Sequence, residues 1–284
     1  MENANPNERR GVELRKGDSN SGVLALQVEL NNAGYGPLLR DGQFGAATEL
    51  AVMDAQKALK QQVTGAAPRR LLAALGLEDA PEVRARRVVQ SVWDRFSDDI
   101  VDACLDHGVV LYDALALLSA ESGMMGMWKP GLPVLRFDAE CFRQHVPPDV
   151  FNRVFQADGV HLVRDEQSGE WHITHSGRQD LEYFALSAAS VHSLHGAYES
   201  CRMGAAMIPG AAYKTLGYAT ALDMFVGFGD EQEQVRGLLA YAMSQSKDGS
   251  RWDRYAAARY PEMADGFREY LTALRDVAVL VAES

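Results

Sequence analysis

Glu121 closes the apolar helical run Leu115-Ala116-Leu117-Leu118-Ser119-Ala120-Glu121-Ser122-Gly123, and the loop Met124 to Trp128 follows it. A carboxyl at the C-terminal end of a helix faces the negative pole of the backbone dipole, and nearby Met and Trp side chains exclude water. Both effects favour the protonated acid. An acid that keeps its proton near neutral pH can protonate the leaving oxygen of a glycosidic bond, as a raised-pKa glutamate does in sugar hydrolysis. The alternative is a solvated Glu ahead of a Ser-Gly helix stop.

A second carboxylate must hold the sugar cation or activate water. Asp138 follows the extended stretch Val134-Leu135-Arg136-Phe137 and is the first candidate for that role. It also stands where it can cap a helix opening at Ala139-Glu140-Cys141-Phe142. A separation of about 5 Å between the two carboxyls would suit retention, and one of about 6.5–9.5 Å inversion through water.

Other reactive types are sparse. The pairs His172-x-x-His175 and His192-x-x-His195 have spacings that fit a metal. Neither forms a His-Glu-x-x-His pattern and no third ligand stands at a matching spacing, so they read as surface or hydrogen-bonded histidines and no metal or cofactor is expected. Cys104, Cys141 and Cys201 are odd in number, far apart and set among apolar or small neighbours, which predicts three buried thiols.

The elements that position these groups are mostly helices. Pro81-Glu82-Val83 opens one with Val88, Val92 and Phe96 toward a core. A further helix over 103–120 carries Leu105, Val109, Tyr112, Leu115, Ala116 and Ser119 on one stripe. Polar residues 164–170 separate Val160-His161-Leu162-Val163 from Trp171-His172-Ile173-Thr174, which predicts a hairpin. More helices are expected over 179–196, 230–246, 251–259 and 262–282.

The N-terminal part reads separately. Val23, Leu26 and Leu30 recur at helical spacing. A turn at Gly34-Tyr35-Gly36-Pro37 leads to Asp41-Gly42-Gln43-Phe44-Gly45 and a helix with Thr48, Ala51, Val52, Ala55 and Leu59 on one face. Pro68 starts a third helix through Leu71, Leu72 and Leu75, which Gly76 ends. Three short helices need one shared core, hence a small bundle over residues 1–78, with a short joint at Gly76-Leu77-Glu78-Asp79-Ala80-Pro81 before residues 79–284.

Charge separates the two parts. Residues 1–78 hold nine Lys/Arg and nine Asp/Glu, so the net charge of −11 lies in residues 79–284. That acidity argues against nucleic acid and gives residues 79–284 no general attraction to any anionic polymer. Hydrophobic content of 47% is ordinary for a globular protein. The polar opening residues do not form a secretory signal, and no apolar stretch approaches 20 residues, so membrane insertion is not expected.

Two resemblances join these readings. Ala120-Glu121-Ser122-Gly123, then Gly131-Leu132-Pro133-Val134-Leu135-Arg136-Phe137-Asp138 and Cys141-Phe142, resemble the N-acetylmuramidase family of phage and bacterial lysins. The likeness continues through Ser200 to Gly210, Leu216-Gly217-Tyr218, Met224-Phe225 and Trp252 to Tyr260. It implies that Glu121 is the catalytic acid and puts Asp138 at the place of a family glutamate. Met203 stands where the family has Trp and Met207 where it has Gln, which predicts a weaker sugar grip, and Tyr260-Pro261-Glu262 replaces an Asn-Gly-Pro-Gly loop. Over residues 13–77, Leu26-Gln27, Leu30, Asp41-Gly42-Gln43-Phe44-Gly45, Thr48, Ala51-Val52 and Gln56 resemble a peptidoglycan-binding module, with Ala55 in place of the usual aromatic.

The fold implied is mainly α, a three-helix bundle followed by a lysozyme-like helical domain with a small β-region. The function implied is a phage-type endolysin that cuts peptidoglycan between N-acetylmuramic acid and N-acetylglucosamine, held in the host cytoplasm until release to the wall. Its rival is a wall-binding protein with an inactive muramidase domain. Substrate contacts are expected from Asp41, Gly42, Phe44, Thr48, Gln56 and Trp128, although Asp41 to Gly45 also reads as a turn with Phe44 in the core.

Overall fold

A computed structural model gives the arrangement. It describes residues 13–36, 38, 40–79, 81–121, 126–157, 161–175, 178–245 and 264–283, with the backbone alone at 81–82 and 264–270. The expected helix over 251–259, with Trp252 to Tyr260, and the Ser122 to Met124 part of the Glu121 segment lie outside the described residues.

The N-terminal helices are α1 (Ser21–Asn32), α2 (Ala46–Ala58) and α3 (Arg69–Ala74). Asn20 caps α1 by accepting from the Val23 amide at 3.1 Å, the favoured use of Asn before a helix. Val23, Leu26, Leu30, Phe44, Val52, Ala55, Leu71 and Leu72 form one apolar cluster. Leu59 departs from expectation: α2 ends before it, and it turns 40% exposed to the surface.

A second cluster begins at Ala85. Helix α4 (Pro81–His107) is followed by α5 (Leu111–Glu121), so the single helix expected over 103–120 is two. Gly108 breaks it with φ +62°, a backbone open to glycine, and Leu105 consequently faces solvent rather than the core. Ala114 to Glu121 are buried all round, as a helix enclosed on every side must be. Around it stand α4, α11 (Glu231–Ser244) and α12 (Ala264–Ala282).

Three small antiparallel sheets complete the described fold. β1 (Met127–Lys129) pairs with β2 (Leu132–Pro133). β3 (Leu135–Phe137) pairs with β7 (Cys201–Met203), which pairs with β8 (Ile208–Pro209). The expected hairpin is present as β5 (Leu162–Arg164) and β6 (Trp171–Ile173), with Val163 opposite His172, and β4 (Phe155–Gln156) adds a third strand. Between them run α6 (Ala139–Phe142), α7 (Pro148–Val154), α8 (Gln179–Ser190), α9 (Leu194–Glu199) and α10 (Ala221–Gly227). The helix expected over 179–196 is thus interrupted, because Ser193 caps a new one through the Gly196 amide. The protein is mainly α with a small β-region. Among the described residues no helix is long and apolar enough to cross a membrane.

Candidate active site

Glu121 is the last residue of α5 and is 1% exposed. The preceding turns bury Leu115, Leu117 and Leu118, so the apolar run drives the helix into the core and carries the carboxyl with it. Its described charged neighbour is Arg40: the guanidinium Nη2 lies 3.7 Å from Glu121 Oε2, and Nη1 donates to the Ala120 carbonyl. A solvated glutamate ahead of a helix stop is therefore not what the fold builds.

The chain re-emerges at Gly126, whose carbonyl accepts from the Val134 amide at 2.9 Å. Buried Gln234 of α11 fixes this place. Its Nε2 donates to the Gly126 and Phe228 carbonyls at 3.1 and 2.6 Å, and its Oε1 accepts from the Ala205 amide at 2.8 Å. A Cβ at Gly126 would lie 2.6 Å from Gln234 Oε1, so a larger residue there would shift Gln234 off these hydrogen bonds. Just beyond, half-buried Trp128 stacks on Tyr183 with ring centroids 4.8 Å apart, and the Lys129 ammonium lies 4.0 Å from the Trp128 ring centre. Trp128 is packed between neighbours rather than standing as a free platform.

Asp138 caps α6: its Oδ1 accepts from the Cys141 amide at 3.0 Å. Burial pushes its carboxyl up, but the Cys141 hydrogen bonds and the nearby His161 and His175 outweigh this and hold it below the usual range. The capping alternative is what this residue does, just after β3, which packs against α8 and β7.

His175 is half-buried and pinned. Its Nδ1 lies 3.0 Å from Arg136 Nη2 and its Nε2 2.5 Å from the Phe137 carbonyl, and burial followed by the Arg136 charge pulls it down to about 3. Beneath it Glu182 accepts from the Phe137 and His175 amides at 2.9 and 2.6 Å, while burial pushes its carboxyl up to about 7. His172 packs edge-on to Phe184, and His195 lies 3.2 Å from Glu199. No cluster of three or more metal-ligating side chains occurs among the described residues. Cys104 and Cys201 are buried, but Cys141 is exposed, because it stands on the outer side of the α6 turn that Asp138 caps.

Met203 and Met207 are both buried, and Met203 lies in the main core, paired with Leu135 and Ile208. Met203 therefore serves the packing of this sheet and offers a sugar no exposed face. Met207 adopts φ +50°, an unfavourable conformation for a residue with a Cβ.

In the N-terminal bundle, Phe44, Thr48 and Gln56 are buried. Gln56 accepts from the Thr64 and Gly65 amides and donates to Ala66 O and Thr64 Oγ1, all within 3.1 Å. These side chains hold the bundle together and offer a ligand no surface. Gln27 binds the Asp41 loop: its Oε1 accepts from the Asp41 and Gly42 amides, and its Nε2 donates to Asp41 Oδ1, Gln43 O and Thr48 Oγ1. Asp41 alone of the expected contacts keeps a partly exposed side chain in that loop.

The family model described as N-acetylmuramidase matches residues 112–266, more than half of the chain and including Glu121. The chain belongs to the N-acetylmuramidase family. It is a glycoside hydrolase acting on peptidoglycan. A model described as putative peptidoglycan binding domain matches residues 19–75, the bundle held by Gln27 and Gln56. No curated protein matches the muramidase chain. Among solved structures it is similar to the Burkholderia AP3 phage endolysin, at 23% identity over 96% of this chain and 100% of that one, with a TM-score of 0.47.

Arg40, Gln27, Gln234 and Glu182 were not expected at or near a site. Gln27 lies inside the Leu26-Gln27 match, which was the one signal for it; a charged or polar residue in a helix or loop otherwise gives no sign of the distant partner it will meet.

Proposed function

We propose that this muramidase cuts the bond from N-acetylmuramic acid to N-acetylglucosamine with Glu121 as general acid, and that it serves as a phage-type endolysin. Glu121 gives its proton to the glycosidic oxygen as the bond to C1 of the muramic residue breaks. Water then adds to C1, and the proton it releases restores the acid. The observation that carries this reading is the burial of Glu121 at the end of an apolar helix inside the family match.

Asp138 enters as the candidate second group, since its surroundings favour the ionised form that role needs. Asn at 138 keeps the α6 cap and removes the charge. Full hydrolysis by Asp138→Asn with unchanged melting would take Asp138 out of the mechanism. Trp128 is the candidate sugar contact nearest in sequence to Glu121, and Asp41 with Gly42 the candidate contact of the binding module.

The endolysin reading includes a stage in the host cytoplasm before release, which fractionation before and after lysis would follow. The enzymatic reading is tested by clearing of peptidoglycan embedded in a gel. Wild type should clear and Glu121→Gln should not; equal clearing by both would end the assignment of Glu121.

A further inference from the structure

Arg40 belongs to the loop between α1 and α2, yet its guanidinium contacts the end of α5. It is 7% exposed, donates to the Ala120 carbonyl and stands against the Glu121 carboxyl. A second tie joins the same two regions. Arg87 of α4 lies 3.6 Å from the buried Glu29 of α1 and also pairs with Asp79. Burial pushes the Glu29 carboxyl up, against the pull of Arg87 and Arg84. Val28 of α1 and Val88 of α4 are buried although neither belongs to an apolar cluster. The bundle is thus fastened over the end of the helix that carries the acid.

A general acid has to come within about 2.6–3.2 Å of the oxygen it protonates. In this arrangement a guanidinium from the wall-binding bundle stands 3.7 Å from the Glu121 carboxyl, which at 1% exposure is closed to a glycan. Arg40 is also fixed on both sides. Leu38 is clipped to Asn31 by two hydrogen bonds, at 2.7 and 3.0 Å, and Asp41 and Gly42 are clipped to Gln27. A ligand that moves the Asp41 loop must therefore move Arg40.

Resting on the assignment of Glu121 as general acid, we propose that Arg40 is a latch. In the free enzyme the bundle holds the acid covered, and peptidoglycan bound at the Asp41 loop withdraws Arg40 and opens the site. By linkage, the latch must weaken wall binding by the same factor as it is weakened by it.

Two measurements on the full chain test this. On soluble, peptide-free glycan strands, Arg40→Ala should hydrolyse on the order of tenfold faster than wild type, the scale of one buried charge-assisted bond, while rates on intact sacculi stay close. A disaccharide-peptide fragment of peptidoglycan, with no remaining bond for a muramidase to cut, should bind Arg40→Ala more tightly than wild type by a similar factor. Arg87→Ala, at a half-exposed position, should move both readouts the same way by less, and it serves if Arg40→Ala loses its melting transition. Slower hydrolysis by Arg40→Ala on both substrates, unchanged rates on both, or no gain in fragment binding would overturn the latch. Glu121→Gln run alongside separates the two ideas: if it cleaves like wild type, the acid assignment falls, and the fragment binding still decides whether Arg40 is coupled to the wall site.

Discussion

Glu182→Gln carries a pH signature that can be worked out in advance. The Glu182 carboxyl, 2% exposed, is pushed by burial from 4.5 up to about 7 in the folded protein. Between those values the unfolded chain has released its proton while the folded protein still holds it. Folding stability in wild type therefore falls as pH rises through that window, by about 1.4 kcal/mol per pH unit and about 3 kcal/mol in all. The contribution is whole below pH 4.5 and gone above pH 7. Gln has no proton to lose and lacks this slope. It does bring a pH-independent cost, because one carbonyl replaces two oxygens beneath the Phe137 and His175 amides, leaving one donor short at about 1–3 kcal/mol. His175, pulled down to about 3, makes both proteins less stable on acidification below pH 6.5, so it drops out of the difference. Urea unfolding followed by circular dichroism at half-unit steps from pH 4.5 to 8 should show the variant weaker in acid and level with or above wild type at pH 8. Parallel profiles would mean that Glu182 is not held protonated by its burial, and the reasoning about this buried carboxyl would fail.

Gln56→Ala strips two amides and a carbonyl of their partners inside the bundle and should cost roughly 2–4 kcal/mol, read by chemical unfolding together with loss of sedimentation on purified wall. Met203→Trp, which installs the family residue, should destabilise by at least about 1–3 kcal/mol through overpacking and give no faster hydrolysis; a gain in rate without loss of stability would restore position 203 to the sugar site. A thiol reagent above pH 9 should label one cysteine of the native protein, Cys141, and all three only after unfolding, since Cys104 and Cys201 are buried and burial raises both, Cys104 to about 11. Labelling of Cys201 in the native state would contradict its buried place in β7.

Helical periodicity was enough to find α1, α2, α4 and α11, because each buries a long stripe of apolar residues that repeats at its own period. It failed where a single backbone conformation intervened. Gly108 divides one apolar stripe between two helices, and Ser193 divides another, and neither residue interrupts the hydrophobic pattern of the sequence. Glu121 and Asp138 stand out in the sequence because chemistry at a helix end is local: dipole, apolar approach and cap all lie within a few residues. The environment of Glu121 was not local. Arg40 lies 81 residues earlier in the chain, in the loop between α1 and α2, and only the docking of α1 and its loop on α4 and α5 brings it to Glu121. Phe44 and Gln56 show the converse, since the motif that marks a binding module is largely the set of residues that folds it.

The most direct test of the central claim is the chemistry of the product ends. Peptidoglycan digested by the enzyme, reduced with borohydride and hydrolysed, should yield the reduced alcohol of muramic acid, with Glu121→Gln yielding none above background while melting like wild type. Reduced glucosamine in its place, ring-closed muramic ends without new reducing groups, or undiminished product from Glu121→Gln would contradict general-acid hydrolysis by Glu121 at the muramic bond.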